Sequence, residues 1–165
     1  MVFFSRSLDP SVRVTYHLRE RQAAQSGFLS KTSTETFTQR ITLLNTKSIA
    51  VDNLKVTDII PISEDERIEV KLINPPLVYV PVGNTSSVSS LLGPATSEKQ
   101  KPLRVKENIV AQWERADEKD FEGALGRNGK INWLVSLPPQ KPVTLLLQFE
   151  VGFAGGLVVE GLADY

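Results

Sequence analysis

Apolar and polar side chains alternate along most of this chain. In PVTLLLQFEVGF (142–153), Val143, Leu145, Leu147, Phe149, Val151 and Phe153 share one side, while Thr144, Gln148 and Glu150 share the other, with Leu146 the exception. A period of two is that of a β-strand with one buried face. KINWLVSL (130–137) repeats it with Ile131, Trp133, Val135 and Leu137. RIEVKLI (67–73) does so with Ile68, Val70 and Leu72 opposed by Glu69 and Lys71. TFTQRITLLN (36–45) places Phe37, Ile41 and Leu43 among threonines that suit a pleated surface. DNLKVTDII (52–60), NIVAQWER (108–115) and SVRVTYHL (11–18) bring the predicted strands to seven.

Helical periodicity is nearly absent. LRERQAAQSGF (18–28) could form a turn or two of helix, but Gly27 and the Ser/Thr run after it predict a loop. TDIIPISEDERIEV (57–70) predicts a hairpin, with Pro61 closing one strand, Glu64, Asp65 and Glu66 in water, and Ile68, Val70 and Leu72 facing the core. Asn128-Gly129 predicts a tight turn pairing a short strand at Phe121–Leu125 with the one beginning at Lys130. Asn45-Thr46-Lys47-Ser48 predicts a further turn between two long strands. Half-polar strands argue against a parallel sheet, whose doubly covered strands read as continuous apolar runs. The expectation is an all-β chain, a single antiparallel β-sandwich domain over 1–165 with long loops and little helix.

One stretch breaks the meander. Residues 74–108, NPPLVYVPVGNTSSVSSLLGPATSEKQKPLRVKE (74–107) and the following Asn108, are rich in Pro, Ser, Gly and Lys and predict a long loop. Within it, LVYVPV predicts a short edge strand, because Pro81 cannot donate to a central ladder, and Gly83–Lys101 is expected to be mobile.

Composition narrows the function classes. With 165 residues, 41% hydrophobic and 23% charged, the chain can bury a core as one domain. Nineteen basic residues balance nineteen acidic ones, which predicts neither nucleic-acid nor membrane-surface binding by a basic patch. The absence of cysteine excludes disulfides, thiolate metal sites and cysteine nucleophiles. MVFFSRSLDP has only a short apolar cluster, so no signal peptide is predicted and a cytoplasmic location is expected. Asn84-Thr85-Ser86 is a formal glycosylation sequon, relevant only to a secreted chain.

Candidate chemistry is sparse. Glu64, Asp65 and Glu66 are contiguous, so their side chains diverge, and the alternating oxygens, glycine and distal glutamate of a calcium loop are missing. A histidine-based triad must use the single His17, which lies in a strand pattern, and no G-x-S-x-G motif is present. GALGRNG (123–129) has glycines but no Gly-Lys-Ser/Thr ending. Asp117, Glu118, Asp120 and Glu122, interleaved with Arg115 and Lys119, read as a solvated loop, although sequence leaves open that distant carboxylates such as Asp58 converge. Trp113 and Trp133 are candidates for a sugar-stacking platform, but Trp133 is in register with Ile131 and Val135, and Trp113 with Ile109 and Ala111. No catalytic, cofactor-binding or metal residue is assigned, and no enzyme activity is expected.

Four passages carry a family resemblance: SLDPSVRVTY, TFTQRITLLNTKSIAVDNLKVTDIIPISEDERIEVKL, INWLVSLPP and FEVGFAGGLVVEGL. Their order, from the D-P-S-hydrophobic-x-V start through the N-T-K turn, D-x-I-P-x-S and the tryptophan strand to the closing V-x-G-L, resembles the C-terminal β domain of mucoidy-inhibitor-like proteins. The resemblance spans about Leu8 to Leu162 and is interrupted at 74–108. It implies a domain of unknown function without established catalytic residues, following an N-terminal β domain and a helical middle, so that this chain is a C-terminal fragment. The glycines of GFAGGLVVEGL depart from the proline and basic residues common there, which bears on how the last strand turns.

The functional expectation is a non-catalytic protein-interaction or structural module acting through an edge strand or the 74–108 loop. Missing strands would leave edges open to self-pairing, so a homodimer is expected. The alternative is a carbohydrate-binding module related to cell-surface polysaccharide, which needs an exposed tryptophan.

Overall fold

The structure, a computed structural model, describes residues 10–27, 31–63, 65–77, 102–114, 129–155 and Val159. Among them are nine strands and no helix: β1 Val12–Tyr16, β2 Glu20–Ser26, β3 Thr32–Asn45, β4 Val51–Ile59, β5 Ile68–Asn74, β6 Leu103–Lys106, β7 Ile109–Trp113, β8 Lys130–Leu137 and β9 Pro142–Ala154. They form two antiparallel sheets packed face to face, a sandwich and not a barrel. The first sheet runs β1–β3–β9–β5, with β2 also paired to β3, and the second runs β4–β8–β7–β6.

The seven expected strands are all present, and the inward residues are those the alternation selects. Phe37, Ile41 and Leu43 of β3, Val143 to Phe153 at every second position of β9, and Ile131, Val135 and Leu137 of β8 fill one core. Phe37 and Phe149, directly paired across β3 and β9, stack with ring centroids 5.1 Å apart. Ile68, Val70 and Leu72 pack against that core from β5, as expected.

Between β3 and β9 the chain repeatedly changes sheets, and this corrects one expectation. Residues 57–70 are not a hairpin. Ile59 ends a strand paired with Lys130 in the second sheet, whereas Ile68 opens one paired with Phe153 in the first. The polar bend between them is a crossover. A proline followed by acids marks the end of a strand, but hairpins and crossovers share that signal. The long apolar strands β8 and β9 decide the matter by taking β4 and β5 as separate neighbours. The turn after β3 is also a crossover, pinned by Asn45, which is 0% exposed. Its Nδ2 donates to the carbonyls of Ile49 (2.8 Å), Leu137 (3.3 Å) and Pro138 (3.3 Å), and its Oδ1 accepts from the Lys47 amide.

Two further expectations are corrected. Residues 20–26, read as loop, are strand β2, whose seven side chains are all exposed. With no buried face the segment has no alternation to detect. Residues 103–106, inside the predicted long loop, form β6 and pair with β7. Gly129 has the positive φ expected of it, +64°, and a second constraint: a Cβ there would lie 2.2 Å from the Ile60 carbonyl oxygen. The rest of the 74–108 loop from 78 to 101, including all of the LVYVPV segment but Leu77, the Gly83–Lys101 segment and the sequon, lies outside the described residues. So do the Phe121–Leu125 strand, Asn128, the acidic patch at 117–122, Glu64 and most of the closing V-x-G-L.

Candidate functional site

β1 and β2 lie end to end along the same edge of β3. Tyr16 pairs with Ile41 and Glu20 with Thr38, so residues 17–19 oppose only Gln39 and Arg40. The extra residue is a β-bulge, which interrupts the ladder and lets each half keep its own register. Leu18 is thrown into solvent at 93% exposure. Gln39, 7% exposed, braces the bulge: its Nε2 donates to the carbonyl of His17 (2.7 Å) and, beside the His17 amide, to that of Arg40 (3.0 Å). Arg19 Nε in turn donates to Gln39 Oε1 at 3.3 Å.

Below the bulge β2 runs regularly from Glu20 to Ser26 against β3. The direction of its backbone groups follows from two main-chain hydrogen bonds. His17 donates to the Arg40 carbonyl and Thr46 to that of Ser11, so even-numbered residues of β3 direct their amides and carbonyls towards β1 and β2. Alternation along β3, unbroken in its pairing with β9, gives Thr32, Thr34, Thr36 and Thr38 the same direction. Their partners Ser26, Ala24, Gln22 and Glu20 are therefore spent on β3. Arg21, Ala23 and Gln25 aim theirs out of the sheet. The charged end is held by Arg21 Nη2 to Glu35 Oε1 (2.7 Å), by the Arg21 guanidinium over the Phe37 ring at 5.8 Å, and by a pair between Arg40 and Glu20.

The other edges are interrupted. β4 changes register between Val51 and Leu54, where Asn53 has φ +58°; β5 does so between Leu72 and Asn74; the short β6 does so between Arg104 and Lys106. Such bulges twist an edge away from further pairing. β1 is regular but ends at the bulge after five residues. Among the described residues β2 is the longest uninterrupted free edge.

The residues singled out for chemistry fall elsewhere. Asp65 is tied to Arg67 by Oδ1 to Nε (2.9 Å), Oδ2 to Nη2 (2.6 Å) and the Arg67 amide (2.9 Å). The Arg67 hydrogen bonds hold its carboxyl down at about 2. His17 is exposed, with Nε2 2.7 Å from Thr42 Oγ1. Trp133 is 1% and Trp113 7% exposed, and both belong to the core, so neither offers a stacking face to a sugar. Asp58 is the unexpected one. It pairs with Ile131, so it projects between the sheets towards Tyr16 and Arg19, and burial pushes its carboxyl up against the lowering effects of the Ile59 amide and Arg19. Its Oδ2 is buried with no hydrogen-bond partner among the described residues. Leu54 and Val56 precede Asp58 at every second position on the same face of β4, and that spacing is the signal from which an inward position 58 could be read. Among the described residues no group of three or more His, Asp or Glu side chains could hold a metal ion.

Residues 8–80 match the family model described as a domain of unknown function, DUF4139. The match begins where the sequence resemblance begins and covers β1 to β5, hence the bulge, Gln39 and the β2 edge. No curated protein and no solved structure matches the chain.

Proposed function

We propose that this chain is a non-catalytic interaction module, of the mucoidy-inhibitor-like kind, that recruits an extended segment of polypeptide to β2 by strand addition. One observation carries the reading: seven consecutive residues, all exposed, form an unbroken edge whose odd positions offer main-chain donors and acceptors to solvent. In strand addition those groups supply affinity, and side chains at alternate positions supply selectivity. The non-catalytic part is supported by the fates of Asp65 and His17, each engaged with a neighbouring side chain at the surface. The burial of both tryptophans leaves a carbohydrate-binding reading without its carrying residues.

Ala23→Pro tests the proposal. It removes an outward N–H and no bond to β3, so the fold is retained. Affinity capture from a cell extract is run with wild type and variant side by side. Partners held by the wild type and lost by an equally stable variant support strand addition at β2. An identical set of partners with both proteins sinks it.

A further inference from the structure

We infer that the segment recruited to β2 is β2 of a second copy of this chain, paired antiparallel about a two-fold axis at Ala23. The inference rests on the strand-addition reading and names its partner.

Symmetry limits the registers. Two identical antiparallel strands in one sheet are related by an axis normal to that sheet, which maps each face onto itself. A residue on the axis therefore opposes its own copy. β2 has seven residues, and the register that pairs all of them centres on Ala23. Gln22 then opposes the partner's Ala24, Arg21 the partner's Gln25, and Glu20 the partner's Ser26.

Three features of β2 favour this occupant. No like charges oppose each other in that register, since Glu20 and Arg21 both meet uncharged polar residues. The central pair is alanine on alanine, so nothing bulky separates the backbones at the axis. The residues whose backbone groups point outward, Arg21, Ala23 and Gln25, map onto one another under the axis. Each outward N–H therefore meets an outward carbonyl of the other copy. Among the described residues the first sheet also extends beyond the second at β2: β9 runs thirteen residues from the Asn45 end, and β8 eight. The two-fold places the described strands of the partner's second sheet at the opposite end from those of this one.

The chain has no cysteine, so a single introduced thiol reports the register. Opposed residues of a hydrogen-bonded antiparallel pair have Cα atoms about 5.5 Å apart, within disulfide reach. Positions 22 and 24 are displaced from their own copies by about 7 Å along the strand, and cannot bridge. Under mild oxidation the Ala23→Cys variant is expected to give a disulfide-linked dimer. The Gln22→Cys and Ala24→Cys variants should give at least about ten-fold less. Sedimentation of the cysteine-free chain should show a reversible dimer that Ala23→Pro weakens at least about ten-fold.

A monomer from low micromolar to about 1 mM overturns the inference. If capture of a different protein still depends on Ala23, strand addition stands and only the partner is wrong. If capture is also indifferent to Ala23→Pro, both readings fail. A dimer insensitive to Ala23→Pro, or one that the Ala24→Cys variant bridges equally well, overturns the assigned edge and register.

Discussion

Gln39 donates its Nε2 to the carbonyl oxygen of His17, 2.7 Å away and 22 residues earlier in the chain. That one side chain supplies a donor to the His17 carbonyl where the edge strand bulges, at the junction of β1 and β2. The consequence is testable. Gln39→Leu keeps similar bulk but leaves the His17 and Arg40 carbonyls without this donor, a loss of about 1–3 kcal/mol in denaturant unfolding. Hydrogen exchange should quicken in residues 16–20 before it does in β9. If stability is unchanged, Gln39 does not hold the bulge.

Asn45 is the corresponding pin at the C-terminal end of β3. Asn45→Asp presents an acceptor to three carbonyl oxygens in a buried site, and loses the Nδ2 donor they share. The expected cost is about 2–4 kcal/mol at neutral pH. It should shrink in acid, where the carboxyl gains a proton to donate, and urea melts at two pH values check both parts.

Gly129 tolerates no side chain. The φ of +64° costs an L-residue about 1–2 kcal/mol, and the Cβ would meet the Ile60 oxygen at 2.2 Å. Because Ile60 donates its amide to the Gly129 carbonyl at 2.9 Å, relieving the clash breaks that bond. Gly129→Ala should therefore destabilise by more than about 2 kcal/mol. A fully stable variant would show that the end of β4 does not seat on residue 129.

Asp58 and Asp65 respond oppositely to pH. Burial raises the Asp58 carboxyl, so its contribution to stability is present below the unfolded-state value and is lost as pH rises through the folded one. Asp58→Asn keeps an oxygen for the Ile59 amide and removes the ionisation. Its melting temperature should exceed that of the wild type at neutral pH, with the gap closing in acid. A gap independent of pH would place the effect elsewhere.

Asp65 is lowered to about 2 by Arg67, so its contribution is present above the unfolded-state value and is lost as pH falls through that figure. Arg67→Ala should return the carboxyl towards the ordinary range in an NMR titration while leaving Asp58 unmoved. No movement at Asp65 would contradict the assigned pair.

The sequence alone determined which side chains form the core. In β8 and β9 every second residue is apolar, and an alternation that long is compatible only with a strand buried on one face, whatever its neighbours. It also placed Trp133 and Trp113 inward, whereas the burial of Asp58, with an oxygen short of a partner among the described residues, emerged only from the packed sheets. Pairing was decided only in three dimensions. A polar bend ends a strand without saying whether the chain turns back or crosses to the other sheet, and the bend at Pro61 looks the same in both cases. β2 lay furthest from reach, because a strand exposed on both faces leaves no periodic trace and ERQAAQS has nothing to bury. Its conformation is imposed by the backbone of β3 and positioned by Gln39. Burial pattern is local and can be read along a chain, whereas the partner of a hydrogen-bonded edge is set by whichever strand is alongside.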